Sequence, residues 1–153
     1  MDLILWRHAE AEEPTDELDD LNRSLTPRGV KQAARMAAWL DRQLPDSVRI
    51  LASPARRTNE TVQALGRKFR LRPELAPGCS VAQLLDVAQW PNGKGQVLIV
   101  GHQPVLGQTI AQILGLAEPE LSIKKGAVWW LRSRQRDELP QVTLLAVQSA
   151  DML

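Results

Sequence analysis

The chain has 153 residues, 44% of them apolar and 24% charged, which is the mix of an ordinary globular domain with enough length for one core. Nineteen basic and 18 acidic side chains leave a formal charge of +1, excluding a strongly basic nucleic-acid binder and a highly charged disordered chain. Cys79 is the only cysteine, which excludes an internal disulfide framework and any multi-cysteine metal site.

A reducing compartment fits one cysteine, and no stretch approaches the roughly 20 apolar residues of a membrane span. The expectation is a soluble, cytoplasmic protein with no membrane partner. The small net charge conceals an asymmetry. Residues 1–20 hold eight acids against Arg7 alone, a net of −7, and the other 133 residues hold 18 bases and 10 acids, a net of +8.

In chain order, Leu3-Ile4-Leu5-Trp6 reads as a short buried strand. Thr26-Pro27 then supplies a cap and a proline at the first helical position, and Val30, Ala33, Ala37, Leu40 and Leu44 recur at helical steps up to Pro45. Val48-Arg49-Ile50-Leu51-Ala52 is a second strand. Ser53 and Pro54 predict the cap and first turn of another helix, with Thr58, Val62, Leu65 and Phe69 as its buried stripe. Ser80 predicts a short helix through Val81, Leu84, Leu85 and Ala88. Gln96 to Val100 is a third buried strand, followed by a helix from Pro104 to Gly115. Ala127 to Leu131 and Val142 to Val147 predict two closing strands, antiparallel to each other, around an Arg-rich connection. Most of the five tryptophans fall at periodic core positions. Residues 1–153 thus read as one α/β domain: a three-layer α/β/α sandwich on a mixed, mostly parallel sheet, whose ligands bind beyond the carboxyl ends of the strands.

The two histidines, His8 and His102, each follow a predicted core strand and would project at the same sheet edge. Either one alone reads as a surface or satisfied core residue; two at equivalent strand ends point to chemistry. Arg56 and Arg57 fall in the first turn of a helix, where cations oppose the positive end of the helix dipole. A phosphate would compensate by accepting from free backbone N–H groups and from an arginine fork together. One of the two arginines is expected to extend into solvent, with Arg56 the better candidate. Arg7, His8, Arg57 and His102 would then meet at one edge. Two guanidiniums suit phosphoryl oxygens, and two imidazoles suit nucleophilic and proton chemistry.

Four segments in order resemble the histidine phosphatase superfamily. Arg7-His8-Ala9 resembles its Arg-His-Gly signature, with alanine in place of glycine as in chains of the SixA type. Leu25-Thr26-Pro27-Arg28-Gly29, continuing to Gln32-Ala33, is similar to its Leu-Thr-x-x-Gly-x-x-Gln-Ala helix start. Ser53-Pro54-Ala55-Arg56-Arg57, continuing to Thr61, is similar to Ser-Pro-x-x-Arg-x-x-x-Thr, which selects Arg57. Val100-Gly101-His102-Gln103-Pro104 resembles the second histidine segment, and Gly126-Ala127 adds a weak match. The absence of a long insert between Thr61 and Val97 most resembles the SixA-type phosphohistidine phosphatases. The resemblance implies a phosphoglycerate mutase-like fold without a large cap insertion.

It also implies that His8 is the nucleophile, that Arg7, Arg57 and His102 bind phosphoryl oxygens, and that no metal or cofactor is needed. A general acid is implied as well, with Glu74 roughly where mutases carry theirs and Glu10 as the alternative; either could equally be a solvated carboxylate. If the substrate is a phosphohistidine, one P–N bond replaces another and a strong acid matters less. The expected partner is then a phosphorylated histidine phosphotransfer protein, met by a monomer with an uncapped site. Arg132, Arg134 and Arg136 could dock an acidic partner surface or simply solvate a turn. The acidic run from Glu10 to Asp20 is expected to form a mobile flap beside the pocket. Cys79 reads as a structural or idle thiol.

Three other readings compete. The chain could be a small-molecule phosphomonoesterase of the same superfamily. It could be a phosphate-binding module that uses the arginines and idles the histidines. His8, Glu10 and His102 also match a two-histidine, one-carboxylate iron site, although that leaves Arg57 unexplained.

Overall fold

In the computed structural model, which describes residues 1–153, the three buried apolar runs form strands β1 (Asp2–Arg7), β2 (Arg49–Ala52) and β4 (Gln96–Gly101). A two-residue strand β3 (Arg70–Leu71) and the closing pair β5 (Val128–Arg136) and β6 (Leu139–Gln148) complete one sheet in the order β3-β2-β4-β1-β5-β6. The β1–β4, β2–β4 and β2–β3 pairings are parallel, and β1–β5 and β5–β6 are antiparallel. The mixed sheet and its mostly parallel centre agree with the sequence reading.

Side chains alternate across the sheet with period two, so β1 and β4 feed two separate cores. On one face Ile4, Trp6, Leu98 and Val100 pack against Met36 and Leu40 of helix α1 (Pro27–Gln43) and Val62 of α2 (Arg56–Gln63). On the other, Leu3, Leu5, Val97 and Ile99 meet Leu84 of α3 (Val81–Ala88) and Leu106 and Ile110 of α4 (Val105–Leu114). Helices therefore cover both faces. The segment between Thr61 and Val97 contributes β3 and α3 to these layers. Trp6 and Trp130 are buried, while Trp39, Trp90 and Trp129 are half-buried against the core edges.

The predicted caps hold at two helices. Thr26 accepts from Gly29 N at the start of α1, and Ser80 forms a reciprocal capping box with Gln83 at α3. At α2 the expectation is corrected. The helix starts at Arg56 with Ala55 as its uncapped N-terminus, because the Ser53 hydroxyl is engaged by His102 and by Ala55 N. The helix also stops at Gln63, before Gly66 at φ 68°, so Phe69 lies beyond it and only half-buried.

A second correction concerns the Arg-rich segment, which continues β5 to Arg136. The connection is the two-residue turn Asp137-Glu138, with φ of 49° and 68°. Because β5 runs antiparallel to β1, this segment leads away from the sheet edge that carries His8. Eight residues of strand separate Arg136 from Val128, about 27 Å. Arg132 is held by Asp2 at 2.7 and 2.9 Å, so it is not a free docking charge. No helix is long and apolar enough to cross a membrane.

Candidate active site

The carboxyl ends of β1, β2 and β4 lie side by side, and the four residues singled out in the sequence converge there. His8 N donates to Gly101 O at 3.1 Å, and Ser53 N donates to Val100 O at 3.1 Å. These bonds bring His8, Ser53 and His102 together. The His8 and His102 ring centroids are 5.4 Å apart, and both side chains are buried.

The loop after His8 is pinned by the residues of the other motifs. Ala9 N donates to Thr61 Oγ1 at 3.1 Å, and Glu10 N donates to Gln32 Oε1 at 2.9 Å. Thr26 N donates to Glu10 O at 3.0 Å. Gly29 is required because a Cβ there would collide with the Glu10 carbonyl oxygen. Ala9, Ala11, Leu25 and Ala33 pack into a small cluster beneath, and alanine at position 9 is accommodated with no exposure. On the other side of β1, Gly126 N lies within hydrogen-bond reach of the carbonyls of Arg7 and His8, at 3.2 and 3.0 Å. The weak Gly126 match thus marks a residue that braces the loop, with φ 78°.

The hydrogen bonds constrain the imidazoles. His8 Nδ1 lies 2.7 Å from Ala9 O. A carbonyl can only accept, so the hydrogen sits on Nδ1 and Nε2 carries the lone pair. Burial lowers the His8 pKa to about 3, reinforced by the charges of Arg57 and Arg7 and opposed by the Ala9 hydrogen bond. Burial likewise lowers His102 to about 3, followed by His8 and Arg57. Both rings are neutral at physiological pH, and His102 Nε2 contacts Ser53 Oγ at 2.7 Å.

Arg7 donates from Nη1 to Ile123 O at 2.7 Å. Arg57, 4% exposed, donates to the Asp20 carbonyl at 2.8 Å and reaches the Asp20 carboxylate at 3.3 Å. Burial pushes both guanidiniums below their ordinary pKa, yet arginine keeps its charge. Arg56 extends outward and approaches Glu60 at 3.6 Å. Three buried polar atoms have no hydrogen-bond partner: Arg7 Nε, Arg57 Nε and His102 Nδ1. All three belong to the four converging residues, and buried polar groups are rarely left unsatisfied without a reason. A tetrahedral oxyanion is one ligand that offers acceptors to such a set.

The carboxylates are less well placed. Glu74 stands exposed in a 3-10 turn over Pro73–Leu75, hydrogen-bonded by Arg72 at 3.2 and 3.3 Å. Those Arg72 bonds hold its carboxyl below the usual range. Glu10 accepts from Thr26 Oγ1 at 2.7 Å. No group of three or more His, Cys, Asp and Glu side chains is arranged to hold a metal ion, so His8, Glu10 and His102 form no such triad. The larger grooves lie elsewhere; the largest, about 780 Å³, runs along β2 and the chain from Arg67 to Arg72. It is lined by neither histidine.

Two participants are not visible in the sequence alone. Asp20 contacts Arg57 across 37 residues, and within the acidic run no local pattern distinguishes it from Asp19. Ser53 is part of a recognised motif, but its cap-like position before a proline masks its contact with His102.

The sequence model of the histidine phosphatase superfamily (branch 1) matches residues 3–79. The chain is 33% identical over 135 residues to a phosphohistidine phosphatase SixA homolog of Haemophilus influenzae, covering 78% of this chain and 80% of that one. It is 30% identical over 122 residues to the phosphohistidine phosphatase SixA of Escherichia coli, covering 74% of each. Among solved structures, a protein histidine phosphatase SixA complexed with tungstate superposes with a TM-score of 0.76 at 25% identity, covering 99% of both chains.

Proposed function

This chain belongs to the histidine phosphatase superfamily and is a phosphatase, and from that premise we propose that it removes phosphate from a phosphohistidine on a phosphotransfer protein, through a transient phosphoryl group on His8. The observation that carries the reading is the state of His8: buried, neutral and with Nδ1 tied to the Ala9 carbonyl, so that Nε2 presents a lone pair. The proposal takes residues 1–153 as one catalytic domain, acting as a monomer in the cytoplasm without metal or cofactor.

In this mechanism His8 Nε2 attacks phosphorus in line. The P–N bond to the substrate imidazole breaks as the bond to His8 forms, and the substrate ring, already protonated on its other nitrogen, leaves as neutral imidazole while phosphorylated His8 carries the positive charge. Arg7, Arg57 and His102 hold the equatorial oxygens, where charge spreads in a loose transition state. Water then attacks the phosphoryl group on His8, releasing inorganic phosphate and restoring the neutral ring. Imidazole is protonated near neutral pH, so this leaving group makes little demand on a protein acid. The pairing of Glu74 with Arg72 leaves it poorly suited to protonate an alkoxide, which favours a phosphohistidine over a sugar phosphate or phosphoserine. The two phosphohistidine phosphatase relatives support the same choice, and the tungstate complex of the related structure supports an oxyanion site.

The test is hydrolysis of a phosphohistidine-bearing phosphotransfer protein beside phosphoserine and sugar phosphates. Faster turnover of the phosphohistidine protein is expected. Equal or faster turnover of the alkyl phosphates would replace this reading with a general phosphomonoesterase.

A further inference from the structure

Ser53 lies at the end of β2 with no exposure, and every polar atom it carries has a defined neighbour. Its N–H donates to Val100 O, its carbonyl accepts from Thr58 Oγ1 at 2.9 Å, and its Oγ accepts from Ala55 N at 3.3 Å. The hydroxyl hydrogen remains. The acceptor within reach is His102 Nε2, 2.7 Å away. Were Nε2 instead the donor, Oγ would accept twice and its own hydrogen would be buried with nothing to bind.

We propose that Ser53 is a positioning residue: it donates its hydroxyl hydrogen to His102 Nε2 and so holds His102 with its own hydrogen on Nδ1, as a neutral donor for a phosphoryl oxygen. This rests on the functional reading above in assigning His102 to the oxyanion. The unpartnered, buried Nδ1 of His102 is then an N–H in want of an acceptor.

The two histidines carry the same tautomer and gain opposite functions from it. In His8 the Ala9 carbonyl engages Nδ1–H and leaves the Nε2 lone pair for nucleophilic attack. In His102 the Ser53 hydroxyl engages the Nε2 lone pair and leaves Nδ1–H to donate. One acceptor and one donor, each from the neighbouring backbone or side chain, thus separate nucleophile from electrophile without a charged imidazole.

With only two histidines in the chain, long-range proton–nitrogen correlation spectra of 15N-labelled protein near neutral pH read both tautomers directly. In the wild type both rings are expected to be neutral with the hydrogen on Nδ1. Ser53→Ala should move the His102 hydrogen to Nε2, leave the His8 pattern unchanged, and lower kcat toward a phosphohistidine protein about 10- to 100-fold with little change in KM. Ser53→Thr, which keeps the hydroxyl, should retain the wild-type His102 pattern and most of the activity. A wild-type His102 with its hydrogen on Nε2, or an unchanged kcat in Ser53→Ala despite the switched tautomer, would overturn the proposal. The wild-type spectrum needs no substituted protein to fold. A spectrum as expected in a chain that hydrolyses no phosphohistidine would sink the functional reading and leave the hold of Ser53 on His102 standing.

Discussion

Arginines sit at both ends of the central strand β1, and the two ends treat them differently. At the amino end Arg132 meets Asp2 through two hydrogen bonds of 2.7 and 2.9 Å, and Trp130 Nε1 donates to the same carboxylate at 3.0 Å. Burial raises the Asp2 pKa, but the Arg132 and Trp130 bonds outweigh it and hold the carboxyl below its usual range. At the carboxyl end Arg7 and Arg57 each keep a buried Nε without a partner, and Arg57 opposes the dipole of its own helix. One end is internally satisfied and stabilises the fold. The other leaves hydrogen-bonding capacity unmet, the arrangement that function selects at a cost in stability.

Substitutions at the two ends should separate these roles. Arg57→Ala should lower kcat/KM for a phosphohistidine substrate about 10²- to 10³-fold while leaving Tm unchanged or raised. Arg57→Lys should recover little, since an ammonium lacks the fork. The site end also carries a pH signature. Both histidines have pKa values near 3 in the folded chain against 6.5 in the unfolded one. Above 6.5 neither state is protonated there; as pH falls below 6.5 the unfolded chain takes up protons first. Stability should therefore decline as pH falls from 6.5 toward 3, because the unfolded chain binds the protons that the two buried rings refuse. Urea denaturation at pH 7 and 5 checks this, and replacing both His8 and His102 by Asn should flatten the slope. At the opposite end, Asp2→Ala should cost about 1–3 kcal/mol of stability by the same denaturation assay and leave the activity of the folded fraction intact.

The acidic segment supplies the smallest effect. Asp20 bonds Arg57 and is itself bonded by Arg23 at 3.0 Å, while Glu12, Glu13 and Asp16 are exposed. Within the acidic run expected to lie beside the pocket, the contact with Arg57 thus centres on the single carboxylate of Asp20. Asp20→Ala should raise tungstate affinity about 2- to 5-fold at low salt, measured by calorimetry. Neutralising Glu12, Glu13 and Asp16 together should change it less.

The sequence makes legible what periodicity and caps encode. Buried runs locate β1, β2 and β4, helical spacing locates α1, α3 and α4, and strand ends locate His8 and His102. Motif residues Gly29, Gln32 and Thr61 can be recognised in order, but their common task of bracing Ala9 and Glu10 emerges only in three dimensions. The contacts that tune the site join residues far apart, Arg57 to Asp20 and His102 to Ser53, 37 and 49 positions away. No local pattern records such pairings. Strand β3 is not legible either, since its two exposed residues, Arg70 and Leu71, carry no alternation to read.

The most direct test of the central claim is single-turnover trapping of the enzyme with a phosphohistidine-bearing protein whose phosphoryl group is radiolabelled. A phosphoenzyme that is stable in alkali, labile in acid, located on Nε2 of His8 and absent from His8→Ala is the predicted result. Release of labelled phosphate by His8→Ala at the wild-type rate, or label trapped on any other residue, would contradict it.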